Sequence, residues 1–353
     1  GPSGSIAACK LLKAGFSVTI LEKLEFPRFV IGESLLPKCN EVLESIGILD
    51  VIKEQGFMLK PGAIFIDENK IEEIIDFRDN LGQKCNTSFQ VKREEFDNVL
   101  LQTAIKLGAD VRHKVEVIDY DNEKNIIYAQ DENGVKSSFK ARFVLDASGY
   151  GRVLSQLLNL DEPSDLKLRN AILTRMTGET RRDKENEGFI DIVIHDDNKA
   201  WFWGIPFSDG VTSIGIVCEE NYFLDTGLSK EEFLLKAINS HKYLKEKYKN
   251  AKQVAPVRII NGYSASIKKM YGKGFAMSGN ATEFLDPVFS SGVTLALESS
   301  SRVASLIIDE LKGKEVDWQK DYEDYMMMGI NVFREFVYAW YSGKLRKIFY
   351  TKN

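Results

Sequence analysis

Histidine is scarce in this chain: the 353 residues hold three, His113, His195 and His241, none near another or near a candidate nucleophile in sequence. A Ser-His-Asp mechanism or a histidine-built metal centre therefore has little to draw on, and no metal site is expected. Cysteine is almost as rare, with Cys9, Cys39, Cys85 and Cys218 far apart and without any CxxC spacing. That pattern excludes a zinc ribbon and fits reduced, buried thiols in a cytoplasmic protein better than a disulfide frame. No span approaches ~18 uninterrupted apolar residues, so no transmembrane helix is expected. The 47 Lys and Arg and 52 Asp and Glu leave a mild net charge of −5, and the basic residues are scattered, not gathered into a stripe, which argues against nucleic acid as a partner. Internal repeats and low-complexity tracts are missing too.

What is present is ample apolar material, 44% of a chain longer than one core usually supports, which implies two interleaved or successive domains. The first residues, Gly1-Pro2-Ser3-Gly4-Ser5, read as half of a dinucleotide-binding loop. The apolar strand that normally precedes such a loop is not in the sequence, and no signal peptide is read. Ile6 to Ala14 then has a helical pattern closed by Gly15, and Phe16 to Glu22 is a β-branched apolar strand, which together give the helix and second strand of a βαβ unit. Glu22 ends that strand 18 residues beyond Gly4, where a carboxylate would accept hydrogen bonds from the ribose of an adenine dinucleotide. The pyrophosphate would sit on the helix N-terminus, which Gly1, Ser3 and Gly4 leave open to backbone N–H groups. A mere Gly-Ser linker is the bland alternative, and the helix, strand and Glu22 that follow oppose it.

Further on, Phe89 to Asp97 leads into a helix carrying Leu100, Leu101 and Ala104, and Ala109–Arg112, Val115–Ile118 and Ile126–Ala129 read as strands, the last followed by a hairpin turn at Asn133-Gly134. Phe143 to Gly149 is a buried strand running into a tight turn. From about residue 160 to 265 the alternation, as in Gly188–Ile194 and Val211–Val217, suits a mostly antiparallel sheet. Gly274 to Asn280 returns to a short buried strand, and Val293 to Leu311 is a long helix. The charged run Arg181 to Glu187 reads as a solvated loop, and the aromatics of Val332 to Tyr341 recur at helical spacing, suited to core packing or to roofing a pocket. The expected fold class is α/β. A Rossmann-like dinucleotide-binding domain (1–60, 90–155 and 270–312), which the flavoprotein resemblance described next assigns to FAD, is expected to be interleaved with a mostly antiparallel β substrate domain (61–89 and 156–269), followed by a helical C-terminal region (313–353).

The most specific signal is Trp201-Phe202-Trp203-Gly204-Ile205-Pro206. Its simplest reading is a strand whose alternate tryptophans fill a core before Pro206 ends it. Two further segments share its context: Phe57-x-x-Lys60 running into Pro61-Gly62, and Phe284-x-x-Pro287-x-x-Ser290-x-Gly292. Together these resemble the FAD-dependent halogenases, within the aromatic hydroxylase-like and geranylgeranyl reductase-like flavoproteins. The wider flavoprotein resemblance runs through Gly1, Ser3, Gly4, Glu22, Arg28, Ser34, Arg93, Asp146, Gly149, Gly279, Asn280, Asp286, Pro287, Gly292 and Val293, all expected at the cofactor. Asn280 departs from the pattern, which usually carries Asp after the glycine, and altered FAD retention is the expected result.

The resemblance implies a two-component oxidoreductase. Reduced FAD, supplied by a separate flavin reductase since no second glycine loop for NAD(P)H is visible, reacts with O2 and with chloride or bromide to give hypohalous acid. Halide is expected at the backbone amides of Ser291 and Gly292. Lys60 would guide the hypohalous acid or carry it as a haloamine, because a lysine in a dry tunnel has more neutral amine. Trp201, Trp203, Ile205 and Pro206 would keep an organic substrate off the flavin and so disfavour monooxygenation. The acceptor implied is an electron-rich aromatic, phenolic or pyrrole ring, free or carrier-tethered. The base that deprotonates the halogenated ring is not identified, Glu283 being one option. A flavin hydroxylase, an isoprenoid-type double-bond reductase, and a non-catalytic flavin- or lipid-binding protein are the rival readings.

Overall fold

The computed structural model describes residues 1–79, 84–196 and 199–350; the last three residues of the expected C-terminal helical region lie outside the described residues. The glycine-rich start leads at once into the helix Pro2–Lys13, with Pro2 in its first turn, where the missing N–H costs nothing. That helix buries Ile6, Ala7, Ala8 and Cys9. The strand after it, Thr19–Glu22, pairs in parallel with Asp110–His113, and Ala104 of the helix Arg93–Lys106 packs on Ala8 and Cys9. A second parallel pair, Val144–Asp146 with Phe275–Met277, joins the middle of the chain to its late part. The meander Val115–Asp121, Ile126–Asp131 and Lys136–Lys140 is antiparallel and turns at Asn133-Gly134, with Gly134 at a φ of 81° that favours glycine.

An eight-stranded sheet forms the second layer. Its order is Lys252–Gln253, Arg169–Thr177, Val211–Glu219, Ala200–Pro206, Ile190–His195, Gly62–Ile66 and Glu72–Asp76, with Arg258–Asn261 also paired to Arg169–Thr177. All pairings are antiparallel except that of Ile190–His195 with Gly62–Ile66. Alternation along these strands sends side chains to two different cores. Phe202, Ile216, Val193 and Ile64 face the helix Lys230–Ser240, which starts from a Ser229/Glu232 capping box. Trp201, Trp203, Ile205, Ile192 and Leu173 face the other way, onto the loop 284–289 and the C-terminal helices. The helix Ser291–Leu311 lies against Pro2–Lys13, with Gly279 donating to Ser299 Oγ at 2.9 Å, so the first helix and the late part of the chain pack together. No helix among the described residues is long and apolar enough to cross a membrane.

The reading of Arg181 to Glu187 as a solvated loop is corrected at its first two residues. Arg181 bonds Glu179 (3.0 Å) and the carbonyls of Phe207 and Val211, while Arg182 bridges Glu72 (2.8 Å) and Asp191 (3.1 Å). The reason lies in two buried carboxylates that must be matched by cations: Glu179, which Arg181 meets, and Asp191, only 2% exposed inside the sheet, which Arg182 and Lys247 meet.

Candidate active site

The nucleotide end of the site is built at the N-terminus of Pro2–Lys13. Arg93, at the start of its own helix, grips Asp97 with two bonds (Nε to Oδ1 2.7 Å, NH2 to Oδ2 3.0 Å) and donates to the carbonyl of Ile31 at 2.7 Å. Arg28 reaches the same carboxylate at 3.2 Å. Two guanidiniums thus share one buried carboxylate beside a helix N-terminus, leaving a net positive corner suited to a diphosphate. A Cβ on Gly1 would stand 2.9 Å from Arg28 NH2, and one on Gly279, at a φ of 60°, 3.1 Å from the Ala296 methyl. The positive φ and the close methyl require glycine at 279, whereas at position 1 the near atom is the tip of a flexible arginine. Ser34 Oγ is buried and has no partner among the described residues, a polar atom left for a ligand. Glu22 stands half-buried at the end of its strand, its Oε1 accepting from Leu24 N at 2.9 Å. These residues fit FAD: cationic and amide donors for the phosphates, a carboxylate for a ribose, and a buried hydroxyl without a partner.

Other expected contact residues are used by the protein itself. Asp146 accepts from Ser148 N (2.8 Å) and Leu154 N (2.7 Å), so its carboxylate closes the turn at Gly149 and caps the helix that follows. Ser3 Oγ shares a 2.5 Å hydrogen bond with Ser278, tying the first helix to the strand that ends before Gly279-Asn280. Asp286 Oδ1 caps the turn Pro287–Phe289 through Val288 N at 3.1 Å. Ser290 takes a left-handed conformation (φ 56°) and opens the helix Ser291–Leu311 without a side-chain cap, so the amides of Ser291, Gly292 and Val293 have no intrahelical acceptor. Gly292 is required because a Cβ there would stand 2.8 Å from the Phe284 ring. Asp286 to Val293, expected beside the flavin ring, forms this helix start, and Gly279-Asn280, expected at the ribityl chain, packs on the same helix at Ala296 and Ser299.

Lys60 is 1% exposed. It ends the strand Met58–Lys60, which pairs with Ser88–Gln90, and this pairing points its amine inward to donate to the carbonyl of Leu35 at 2.8 Å. The amine also lies 5.3 Å from the centre of the Phe77 ring. No carboxylate is bonded to it, and burial pushes its pKa down to about 7. Leu35 belongs to the same apolar cluster as Cys39 and Val293, and Cys39 Sγ is 3.2 Å from Thr294 Oγ1 in the first turn after Gly292. A short chain of buried contacts therefore links Lys60 to the expected halide side.

Trp201 and Trp203 project from one face of their strand with ring centres 6.1 Å apart. Trp203 lies flat on Gly215 of the neighbouring strand, where a Cβ would come within 2.2 Å of its ring, and its Nε1 donates to Ser213 Oγ at 3.2 Å. Ile205 is buried beside them and Pro206 closes the strand. Trp201 Nε1 donates to the hydroxyl of Tyr341 at 3.0 Å, and Tyr341 donates to Asp286 Oδ2 at 2.9 Å. The halide-side loop, the tryptophan strand and the C-terminal helix thus meet at one point. Tyr341, Tyr263 and Arg169 join there with no motif to mark them in the sequence; the aromatic spacing of the tail was the one available signal. Glu283 is removed as a free base: it accepts from Ser266, from Ile267 N (3.1 Å) and from Arg334 (2.9 Å).

A Rossmann-type helix start with paired arginines, joined to a buried lysine and a second helix start without a side-chain cap, fits an FAD-dependent oxidoreductase. A family model described as tryptophan halogenase matches residues 1–77 and 66–349. The 1H-pyrrole-2-carbonyl-[peptidyl-carrier protein] chlorinase of Pseudomonas fluorescens is 31% identical over 97% of this chain and 82% of its own length. A solved flavoprotein/dehydrogenase from Cytophaga hutchinsonii superposes with a TM-score of 0.94 at 43% identity, over 100% of this chain and 87% of that one. The myxobacterial chondrochloren halogenase CndH, described as a variant of FAD-dependent halogenases, superposes at 0.88 with 31% identity, over 96% and 80%. The chain belongs to the flavin-dependent halogenase family, whose members use FAD and halide.

Proposed function

We propose that this chain halogenates an electron-rich aromatic ring, of phenol or pyrrole type, free or tethered to a carrier protein, with Lys60 as the residue that delivers the halogen. The observation that carries the reading is a fully buried amine that donates to the Leu35 carbonyl at 2.8 Å and has no bonded carboxylate among the described residues, its pKa pushed down by burial to about 7. FAD, when bound in reduced form, supplies with O2 the oxidising equivalent that converts chloride or bromide to hypohalous acid. Arg28, Arg93, Ser34 and Glu22 hold its nucleotide end, and Gly279, Asn280, Pro287 and Val293 lie along its ring. The amides of Ser291 and Gly292 hold the halide, since first-turn N–H groups without internal acceptors favour an anion. About half of the Lys60 amine is neutral near pH 7, so it can accept a hydrogen bond from hypohalous acid and direct it onward. Trp201, Trp203, Ile205 and Pro206 form the wall that keeps the organic acceptor off the flavin. The carrier-tethered acceptor is supported by the chlorinase relative, which acts on such a pyrrole. The division into cofactor, substrate and C-terminal regions is part of the same reading, as is a cytoplasmic location, which the free thiols support.

The test combines the FAD-loaded protein, a flavin reductase, NADH, O2 and bromide with free and carrier-tethered phenols, pyrroles and indoles, read by mass spectrometry. NADH without the reductase should leave the flavin oxidised. Halogenated product should appear in wild type and fall by at least about a hundredfold in Lys60→Ala, with flavin reoxidation intact. Oxygenated product, or equal halogenation by both proteins, would overturn the proposal.

A further inference from the structure

The phenol at the end of the Tyr325–Tyr341 helix is held as a ligand would be. Its hydroxyl receives a hydrogen bond from Trp201 Nε1 (3.0 Å) and gives one to Asp286 Oδ2 (2.9 Å), while the Arg169 guanidinium lies over its ring, 3.4 Å from the centre. Tyr263 donates to the same Oδ2 at 3.3 Å. Trp201, Asp286, Tyr263 and Arg169 are all at most 5% exposed. Anchoring a terminal helix to a core requires only apolar contact, and Trp340 next door already provides it against Phe65 and Phe289. A cation on the ring face, a donor to the ring oxygen and a carboxylate for its proton are a recognition set for a neutral aromatic ring bearing an O–H or N–H. Arg169 Nε has no partner among the described residues, so the set has one donor unused. Two of its members come from the segments already assigned to halogenation, the tryptophan strand and the halide-side loop.

Tyr341 is also placed to leave. It is the last residue of its helix, and Ser342 and Gly343, the latter at a φ of 73°, join it to the helix Lys344–Tyr350, which Leu345 and Phe349 hold to the core, so the Tyr341 side chain can swing out at this junction while both helices stay anchored. On the reading of the chain as a halogenase, we infer that Trp201, Asp286, Tyr263 and Arg169 form the acceptor-ring subsite and that Tyr341 is its tethered occupant. The acceptor is a neutral phenol- or pyrrole-type ring whose O–H or N–H replaces the Tyr341 hydroxyl on Asp286 and whose face takes the guanidinium of Arg169. A ring without such a hydrogen is rejected because it would strand a buried carboxylate.

The test is calorimetric binding to the oxidised, FAD-loaded enzyme without halide, using resorcinol and 1,3-dimethoxybenzene, the same ring without O–H groups. Tyr341→Phe keeps the packing and removes the competing hydroxyl, and it should bind resorcinol about tenfold more tightly than wild type, with no comparable gain for the dimethyl ether. Asp286→Asn, which keeps a cap for the turn, should weaken resorcinol binding several-fold. Equal resorcinol affinity of wild type and Tyr341→Phe, both shown folded by circular dichroism, overturns the inference, as does an equal gain for the ether. Halogenation assays on the same preparations separate the two readings. Tighter resorcinol binding without any halogenation leaves the subsite standing and removes the proposed function, whereas halogenation with unaltered binding in Tyr341→Phe does the reverse.

Discussion

An amine held away from water loses its proton more readily, and Lys60 ties activity to stability through that one fact. In the folded chain its pKa lies near 7, while in the unfolded chain it returns to the ordinary 10.5. Between those values the unfolded chain binds the extra proton, so stability rises with pH across that window; below about 7 both states are protonated and the full cost of charging a buried amine is present. Lys60→Met removes the group at similar volume. The variant should be more stable than wild type by on the order of a few kcal/mol at about pH 6, with the difference shrinking toward about pH 10, as measured by urea unfolding across that range. A difference that does not vary with pH would contradict a buried, depressed amine. The rate of halogen transfer should rise with pH through the same pKa, because the neutral amine is the acceptor, and that limb should vanish in Lys60→Ala.

Among the elements, the tryptophan strand shows how one chain feature serves two tasks. Trp203 needs a flat floor, and Gly215 of the adjacent strand provides it; a methyl there would overlap the indole. Gly215→Ala should therefore cost about 1–3 kcal/mol through overpacking, seen as a lower melting temperature, and should shift the near-ultraviolet circular dichroism of the tryptophans. An unchanged melting temperature would mean that the ring moves freely, and the idea of a rigid wall would fail. The strands and helices themselves were legible because their signals are local: the alternation of Val211–Val217, the helical spacing from Val293 to Leu311, and the turn at Asn133-Gly134 each lie within one short window. What escaped is what depends on distant partners. Arg181 and Arg182 sit in a run of charge that reads as solvated, and only the fold brings the Phe207 and Val211 carbonyls to the first and Asp191 to the second. The site was legible in the same measure. Lys60 and the tryptophans were marked by motif and Tyr341 only by the helical spacing of the tail aromatics, whereas Arg169 and Tyr263 carry no pattern, and all three gain meaning only around Asp286.

For the whole molecule, the cofactor corner joins regions far apart in the chain: Gly1 and Gly4 at the start, Arg93 in the middle, and Gly279 to Val293 near the end. A ligand bound there holds only the folded arrangement, because unfolding separates all three, so FAD should stabilise the protein globally and not one region. At a free FAD concentration of about 100 times Kd the gain should be about 2.7 kcal/mol, and the unfolding transitions followed by tryptophan fluorescence and by far-ultraviolet circular dichroism should move together. Ser34 makes this expectation specific. Its hydroxyl is buried without a partner in the protein, so Ser34→Ala should leave the FAD-free protein as stable as wild type or slightly more so. In the presence of FAD the same substitution should cut the stabilisation by about 1 kcal/mol, the net worth of one hydrogen bond. The opposite signs distinguish a ligand-binding hydroxyl from an ordinary packing residue, whose loss would lower both curves alike. Thermal unfolding of the two proteins with and without FAD decides it, and a wild-type melting temperature that ignores FAD would overturn the assignment of this corner to the cofactor.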